Sequence, residues 1–207
     1  ESPILGTRPP TLTAALRRVS RDAPVLTVAI VPLRERTPES ADLGLDLVIV
    51  PKAYTPAAFP HEVLFEDTFT AIVCGRHSSV GATLDPDQYR RLPHPVVSFS
   101  DDTRVNYDER LGEQAGFELH AQVVAPSYHA LPALIVGTDR IATLQMRLAE
   151  KLAASYPIRV VPLPLPMPVL EEGMMWHPRL DRDAGHAWLR GVLRETAAEL
   201  PALGSEP

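Results

Sequence analysis

VLEEGMMWHPRLDRDAGHAWLRGVLRE, residues Val169 to Glu195, joins a strand to a helix. Met174, Met175 and Trp176 close an apolar run, Pro178 ends the extended segment, and Asp181 and Asp183 are the oxygen-bearing residues that precede a helix. The turn therefore falls near His177 to Arg182. Beyond it Ala184, Ala187, Trp188, Gly191, Val192 and Glu195 recur at spacings of three and four, and Trp188, Leu189, Val192 and Leu193 form a broad apolar stripe that predicts one buried face.

A chain of 207 residues holds one ordinary domain or two small ones with a substantial core. Its 45% hydrophobic and 22% charged residues are those of a globular protein, and no apolar run approaches the roughly 18 residues that cross a bilayer, so no membrane partner is expected. ESPILGTRPP has no basic region followed by an apolar core, which marks nothing for secretion. A net charge of -6 with scattered Lys and Arg argues against this chain holding DNA by itself. Cys74 is the only cysteine, so an internal disulfide and a thiolate zinc site are excluded, and a reducing, cytoplasmic location is expected. The 22 prolines, about double the usual ~5%, punctuate many short elements.

Working back from that stretch, Pro9 to Arg21 predicts a first helix, VLTVAIV (Val25 to Val31) a buried strand, Pro38 to Asp42 a short helix, and LDLVIV (Leu45 to Val50) a strand apolar on both faces, of the kind helices cover on both sides. EVLF and TFTAIVCG (Glu62 to Phe65, Thr68 to Gly75) read as strands. DPDQYRRL from Asp85 is a short capped helix, HPVVSF (His94 to Phe99) a strand, Arg104 to Gln114 a helix, Glu118 to Val124 a strand, and Ser127 to Gly137 a helix. Asp139 to Leu144 is a strand, Met146 to Ala153 a helix, and Ile158 to Leu163 a strand leading into the opening stretch.

Several of these segments resemble the effector-binding domain of LysR-type transcriptional regulators. WHPRLDRDAGHAWLR resembles that family's last strand and last helix, nearest to the branch that answers nodulation flavonoids and aromatic acids. GLDLVIVPK is similar to its Gly-x-Leu-Asp-Leu-x-Ile strand. Arg76 and His77 stand where the family has a basic residue and a His-Pro step, with Ser78 in place of the proline, and TDRIATLQ has Gln145 where the family has another proline. The resemblance implies an α/β fold of the two-lobed periplasmic-binding-protein-like type 2 class. Residues 1–75 and 163–207 would form lobe I and 76–162 lobe II, with crossover segments near Ile72 to His77 and Val160 to Pro166. The family usually opens with a strand before the first helix, for which only Glu1 to Leu5 is available.

It further implies a small-molecule effector, aromatic or carboxylated, held between the lobes. A separate winged helix-turn-helix domain would carry the DNA contact, and the full-length protein would be a tetramer. Paired copies of this domain would meet antiparallel through helix one, VLTVAIV and the helix from Ser127. A solute-binding protein of a transporter shares the fold and is the alternative, and an enzyme on the same scaffold is a weaker third.

Helix N-termini beside such a crevice are the physical candidates for binding, because unpaired amides and the positive dipole end receive carboxylates and hydroxyls. Ser127, Tyr128 and His129 open one helix; Ser98, Ser100 and Asp101 follow HPVVSF; Thr7 precedes helix one. Tyr128 and His129 also suit an aromatic ring, and Thr143 a polar group. Pro51 and Lys52, ending LDLVIV, border the crevice, and Trp176 and His177 reach it from the other lobe. Each also has an ordinary reading as a cap, core residue or solvated charge. Cys74 with His77 gives no catalytic pair, since their spacing parts the side chains and burial would raise the thiol pKa. His177, Asp181, Asp183 and His186 match no metal-ligand spacing, and no phosphate loop, dinucleotide fingerprint or GxSxG elbow occurs. No cofactor is expected.

Overall fold

The structure, a computed structural model, describes residues 2–5, 10–31, 45–98 and 119–203. Two compact units divide the chain: Glu1–Asp67 with Leu170–Pro207, and Thr68–Val169. The chain leaves the first unit at Asp67 and returns at Leu170. The break thus lies before the strand TFTAIVC, assigning that whole strand to the inserted unit, where the sequence had placed it in lobe I.

Unit 1 is a five-stranded sheet in the order β2-β1-β3-β10-β4, formed by β1 (Ser2–Leu5), β2 (Val28–Val31), β3 (Leu47–Pro51), β4 (His61–Asp67) and β10 (Leu170–Trp176). β1 runs parallel to β2 and β3, and β10 lies antiparallel between β3 and β4. Ser2–Leu5 is therefore the opening strand for which only Glu1 to Leu5 was available, and it sits inside the sheet. Strand β2 starts later than expected because Val25, beside Pro24, is 95% exposed in a turn. The short helix expected at Pro38 to Asp42 lies outside the described residues.

Helices α1 (Pro10–Asp22) and α5 (Ala184–Ala198) supply the apolar layer. Leu12, Ala15 and Val19 of α1 and Leu189, Val192 and Leu193 of α5 close over Leu47, Ile49, Met174 and Trp176. The residues between these on the strands, Val48, Val50 and Met175, form a separate cluster, as alternation on a strand requires. Burial of each such side chain stabilises by about 1.5–3 kcal/mol. Trp188 lies off the stripe at 37% exposure, because His186 and Arg190 occupy the buried face instead.

Arg190 is 8% exposed and ties the opening of α5 to β10. Its guanidinium lies 4.3 Å from the centre of the Trp176 ring and donates to the Leu180 and Asp181 carbonyls. It also donates to His186 Nδ1 at 2.6 Å. A guanidinium only donates, so His186 is neutral with its proton on Nε2, which donates to the Asp46 carbonyl at 2.9 Å. Trp176 Nε1 donates to Asp181, and Asp183 caps α5 by accepting from the His186 amide. The group His177, Asp181, Asp183 and His186 is thus spent on turns and caps.

Unit 2 holds an antiparallel sheet in the order β8-β5-β9, from β5 (Phe69–Cys74), β8 (Ile141–Gln145) and β9 (Ile158–Val161), and a parallel pair β6 (His94–Val97) and β7 (Ala121–Ala125). The Ile141 amide donates to the Pro93 carbonyl, setting β8 beside β6 in the same direction. Helices α2 (Pro86–Arg91), α3 (Leu131–Ile135) and α4 (Met146–Ala153) cover it. Asp85 caps α2 as expected, accepting from the amides of Asp87 and Gln88. The helix expected over Ser127 to Gly137 is a 3-10 turn, Tyr128–Ala130, followed by α3 and stopped before Gly137, whose φ of 75° favours glycine. The helix expected at Arg104 to Gln114 lies outside the described residues.

A buried polar cluster joins α2 to these strands. Tyr89 and Thr143 share a hydrogen bond of 2.6 Å, and His94 Nε2 donates to the Tyr89 carbonyl at 2.7 Å. Burial lowers the His94 pKa to about 4, keeping the ring neutral.

Arg190→Ala should destabilise unit 1 by about 2–4 kcal/mol, since two carbonyls and the His186 nitrogen lose a charged donor and Trp176 its cation. Urea unfolding followed by tryptophan fluorescence checks this; a loss under about 0.5 kcal/mol, the size of a neutral surface change, would contradict it. Thr143→Val should cost about 1–3 kcal/mol by removing the buried hydrogen bond to the Tyr89 hydroxyl, read from thermal denaturation.

Candidate functional site

Strand direction sorts the candidate residues before any side chain is considered. In unit 1, Leu5 pairs with Val48, Pro51 with Glu172, and Asp67 with Leu170. The carboxyl ends of β3 and β4 and the amino end of β10 therefore share one edge, and both chain passages depart from it. In unit 2, Phe69 pairs with Gln145 and Ala71 with Val161, so the carboxyl ends of β8 and β9 flank the start of β5. β6 and β7 point the same way as β8, bringing Ser98 and Ser127 to that edge of unit 2. Each unit thus has one crossing edge.

Pro51 and Lys52 lie on the crossing edge of unit 1. Lys52 Nζ donates to Glu171 at 2.9 Å with both side chains exposed, so its charge already has an internal partner. Thr11, in the first turn of the 13-residue α1, is fully buried, and its Oγ1 has no hydrogen-bond partner among the described residues. Glu172 resembles it: the residue is 3% exposed and its Oε1 is likewise unpartnered. Burial, then the nearby Asp67 carboxylate, raises the Glu172 pKa to about 8.

On the crossing edge of unit 2, Ser98 is buried and its amide donates to the Ala125 carbonyl. Ser127 is extended, with φ -163° and ψ 153°, and its hydroxyl makes no cap. His129 is exposed, whereas Tyr128, at 3%, packs against Leu131 and Ile135 in the core. The helix dipole invoked for Ser127 is lost, because α3 has only five residues. Thr143 is inside β8, 4% exposed and bonded to Tyr89, so its hydroxyl serves the core. Thr7, Ser100 and Asp101 lie outside the described residues.

Trp176 and His177 part from the others. Trp176 pairs with Leu47 at the start of β3, the edge opposite the crossing one. Its ring is covered by Arg190, and His177 Nδ1 accepts from the Arg179 amide. The direction of β10 accounts for this, since its C-terminal end is carried away from the crossing edge.

Cys74 departs from expectation differently. Backbone amides of Gly137, at 3.3 Å, and Arg76 point at Sγ and lower the thiol pKa, outweighing burial. His77 Nδ1 accepts from the Ser79 and Val80 amides. Among the described residues no group of three or more His, Cys, Asp and Glu is placed to hold a metal, and no helix is long and apolar enough to cross a membrane.

Sequence reasoning passed over Thr11, Asp67 and Glu172. The signal for Glu172 was the pair Glu171–Glu172 in an otherwise apolar strand, where alternation turns one carboxyl inward.

The LysR substrate binding domain family matches residues 6–198. Nodulation protein D 1 of Rhizobium tropici is 29% identical over 192 residues, 92% of this chain and 62% of that protein. The chain thus spans about three fifths of the length of such relatives. A transcriptional regulator of Vibrio parahaemolyticus has a crystal structure similar at a TM-score of 0.80 and 26% identity, covering 95% of this chain and 93% of that one. Full-length CbnR, solved with its target DNA, shares the fold at a TM-score of 0.68 and 15% identity, over 95% of this chain and 70% of that one. These likenesses favour the regulator over the transporter alternative: the chain belongs to the LysR substrate binding domain family, the effector-binding regulatory part of LysR-type transcriptional regulators.

Proposed function

We propose that Thr11, at the start of α1, and Pro51, on the crossing edge of unit 1, carry effector contacts, as do Ser98, Ser127 and His129 in unit 2. Thr7, Ser100 and Asp101 neighbour these in sequence and belong to the same proposal. The observation that carries it is Thr11 Oγ1, a fully buried hydroxyl at the start of a long helix without a partner among the described residues. A ligand that supplies the missing bond recovers the roughly 1–3 kcal/mol that a stranded polar group costs. Branch resemblance to the nodulation regulators favours an aromatic or carboxylated small molecule.

Binding rather than turnover is the output, and no cofactor takes part. The intact protein senses the effector here and passes the result to a winged helix-turn-helix domain outside this chain, which makes the DNA contact in the cytoplasm. Differential affinity for two arrangements is what drives such a response. Copies of the domain pair through α1, β2 and the segment after Ser127, and the full-length protein is a tetramer. Support for the pairing is that β2 is an edge strand with Ile30 37% and Val31 39% exposed.

A thermal-shift screen tests the ligand class. At a hundredfold excess over Kd the right aromatic acid should add about 2.7 kcal/mol, a rise of about 5–10 °C for a chain of this size. Sugars or amino acids shifting the protein while aromatic acids do not would overturn the class, and an unchanged shift in the double variant Ser127→Ala, His129→Ala would remove those residues. Light scattering tests the pairing: Ile30→Glu should turn a dimer of this domain into monomer, and a monomeric parent would refute it.

A further inference from the structure

The end of unit 1 through which the chain passes twice is held by an unusually placed acid. Glu172 sits in β10 opposite Phe65 of β4 and Pro51 of β3. Just beyond it, between Glu172 and Gly173, the pairing with β4 shifts register. The pairs Glu172–Phe65, Glu171–Glu66 and Leu170–Asp67 therefore form a short ladder, bounded by the bulge on one side and by both chain passages on the other. A bulge interrupts the ladder with β4 locally, and the pairing with β3 begins only at Glu172, so Leu170 and Glu171 pair with β4 alone.

Alternation places Asp67 diagonally across from Glu172 on the same face, and Glu171 with Glu66 on the opposite face. The charged neighbours on the packed strands can be taken in turn. Glu66 and Glu171 face away, and Lys52, on the turn after β3, is bonded to Glu171. Glu62, further along β4, is bonded to Arg194. From β3 the residue opposite Glu172 is the uncharged Pro51. Among the described residues, the charge that acts on Glu172 is thus a second acid, Asp67. A carboxylate in this setting would be a buried anion with no cation beside it among the described residues, whereas a carboxylic acid is merely under-bonded.

We propose that a proton on Glu172 locks the crossing end of the β4–β10 ladder, and that its loss loosens the strand ends that carry both chain passages. The folded carboxyl keeps its proton up to about pH 8, while in an opened or unfolded chain it loses it near 4.5. Between those limits the closed state binds the extra proton, so closure is favoured by acid and weakens as pH rises, levelling off above about 8. His94 acts with the opposite sign, since its folded pKa of about 4 lies below the ordinary 6.5. Its contribution is present above 6.5 and fades as pH falls. From 6.5 to 8 His94 contributes at most about twofold, and with the opposite sign, so a larger rise in opening across that interval belongs to Glu172.

The test is hydrogen exchange on the intact chain at pH 6.5 and pH 8, corrected for intrinsic exchange rates, with urea unfolding at the same two values. Wild type should show the opening constant at amides 65–67 and 170–172, and the global unfolding constant, rising by about an order of magnitude across the interval. Glu172→Gln keeps the shape without the ionisation and should change less than twofold. An infrared band from a protonated carboxyl should be present at pH 7 in wild type and missing from the variant. Asp67→Asn, which removes the neighbouring anion, should move the wild-type transition to lower pH, and serves by itself if Glu172→Gln does not fold. Protection of these amides that is unchanged between the two pH values, or the same change in Glu172→Gln, or an ionised Glu172 at pH 7, overturns the lock.

Discussion

Unit 1 depends on the insertion of β10, antiparallel, between β3 and β4. That register sends Met174 and Trp176 into the layer under α1 and α5, and Met175 to the opposite cluster. It also stations Glu172 at one end of the strand and the Trp176 indole at the other. Shifting β10 by one residue would exchange its two faces, burying Glu171 and turning Met174 away from the helices. The Arg190 network reads as the clamp on that register, because it fastens the C-terminal end of β10 to the turn and helix that follow.

Two kinds of buried polar chemistry coexist. In unit 2, Tyr89, Thr143 and His94 answer one another, and around Arg190 nearly every donor has an acceptor. Such closed networks specify packing and rigidify it. Thr11 and Glu172 are open by comparison, each with a buried oxygen that has no partner among the described residues, and Glu172 lies at the crossing edge of unit 1. Stability is given up where the chain changes units, a distribution expected of a segment whose task is to respond.

Much of the architecture was legible in the sequence because it is local. The helix Met146–Ala153 and the Asp85 cap are written in spacing and capping residues a few positions apart. The element ends at Val25 and Gly137 were blurred by turn geometry. The site was less legible for a different reason. Thr143 is a polar residue near a strand end, and only the fold brings Tyr89, 54 positions away, to its hydroxyl. Trp176 and His177 suggest a binding platform in the sequence, and the direction of β10 carries them to the edge opposite the crossing one. Alternation in one strand says which residues share a face, but not which end of the strand meets the other elements.

The order of the chain has its own consequence for how the protein is made. Every strand of unit 2 has its partner once residue 169 has been synthesised, whereas β3 and β4 must wait for β10, more than a hundred residues after β3 began. Long-range pairing of this sort closes slowly, and domains tend to form as their own residues become available. On a ribosome the inserted unit would be complete while its host remained an open sheet with two unjoined edges.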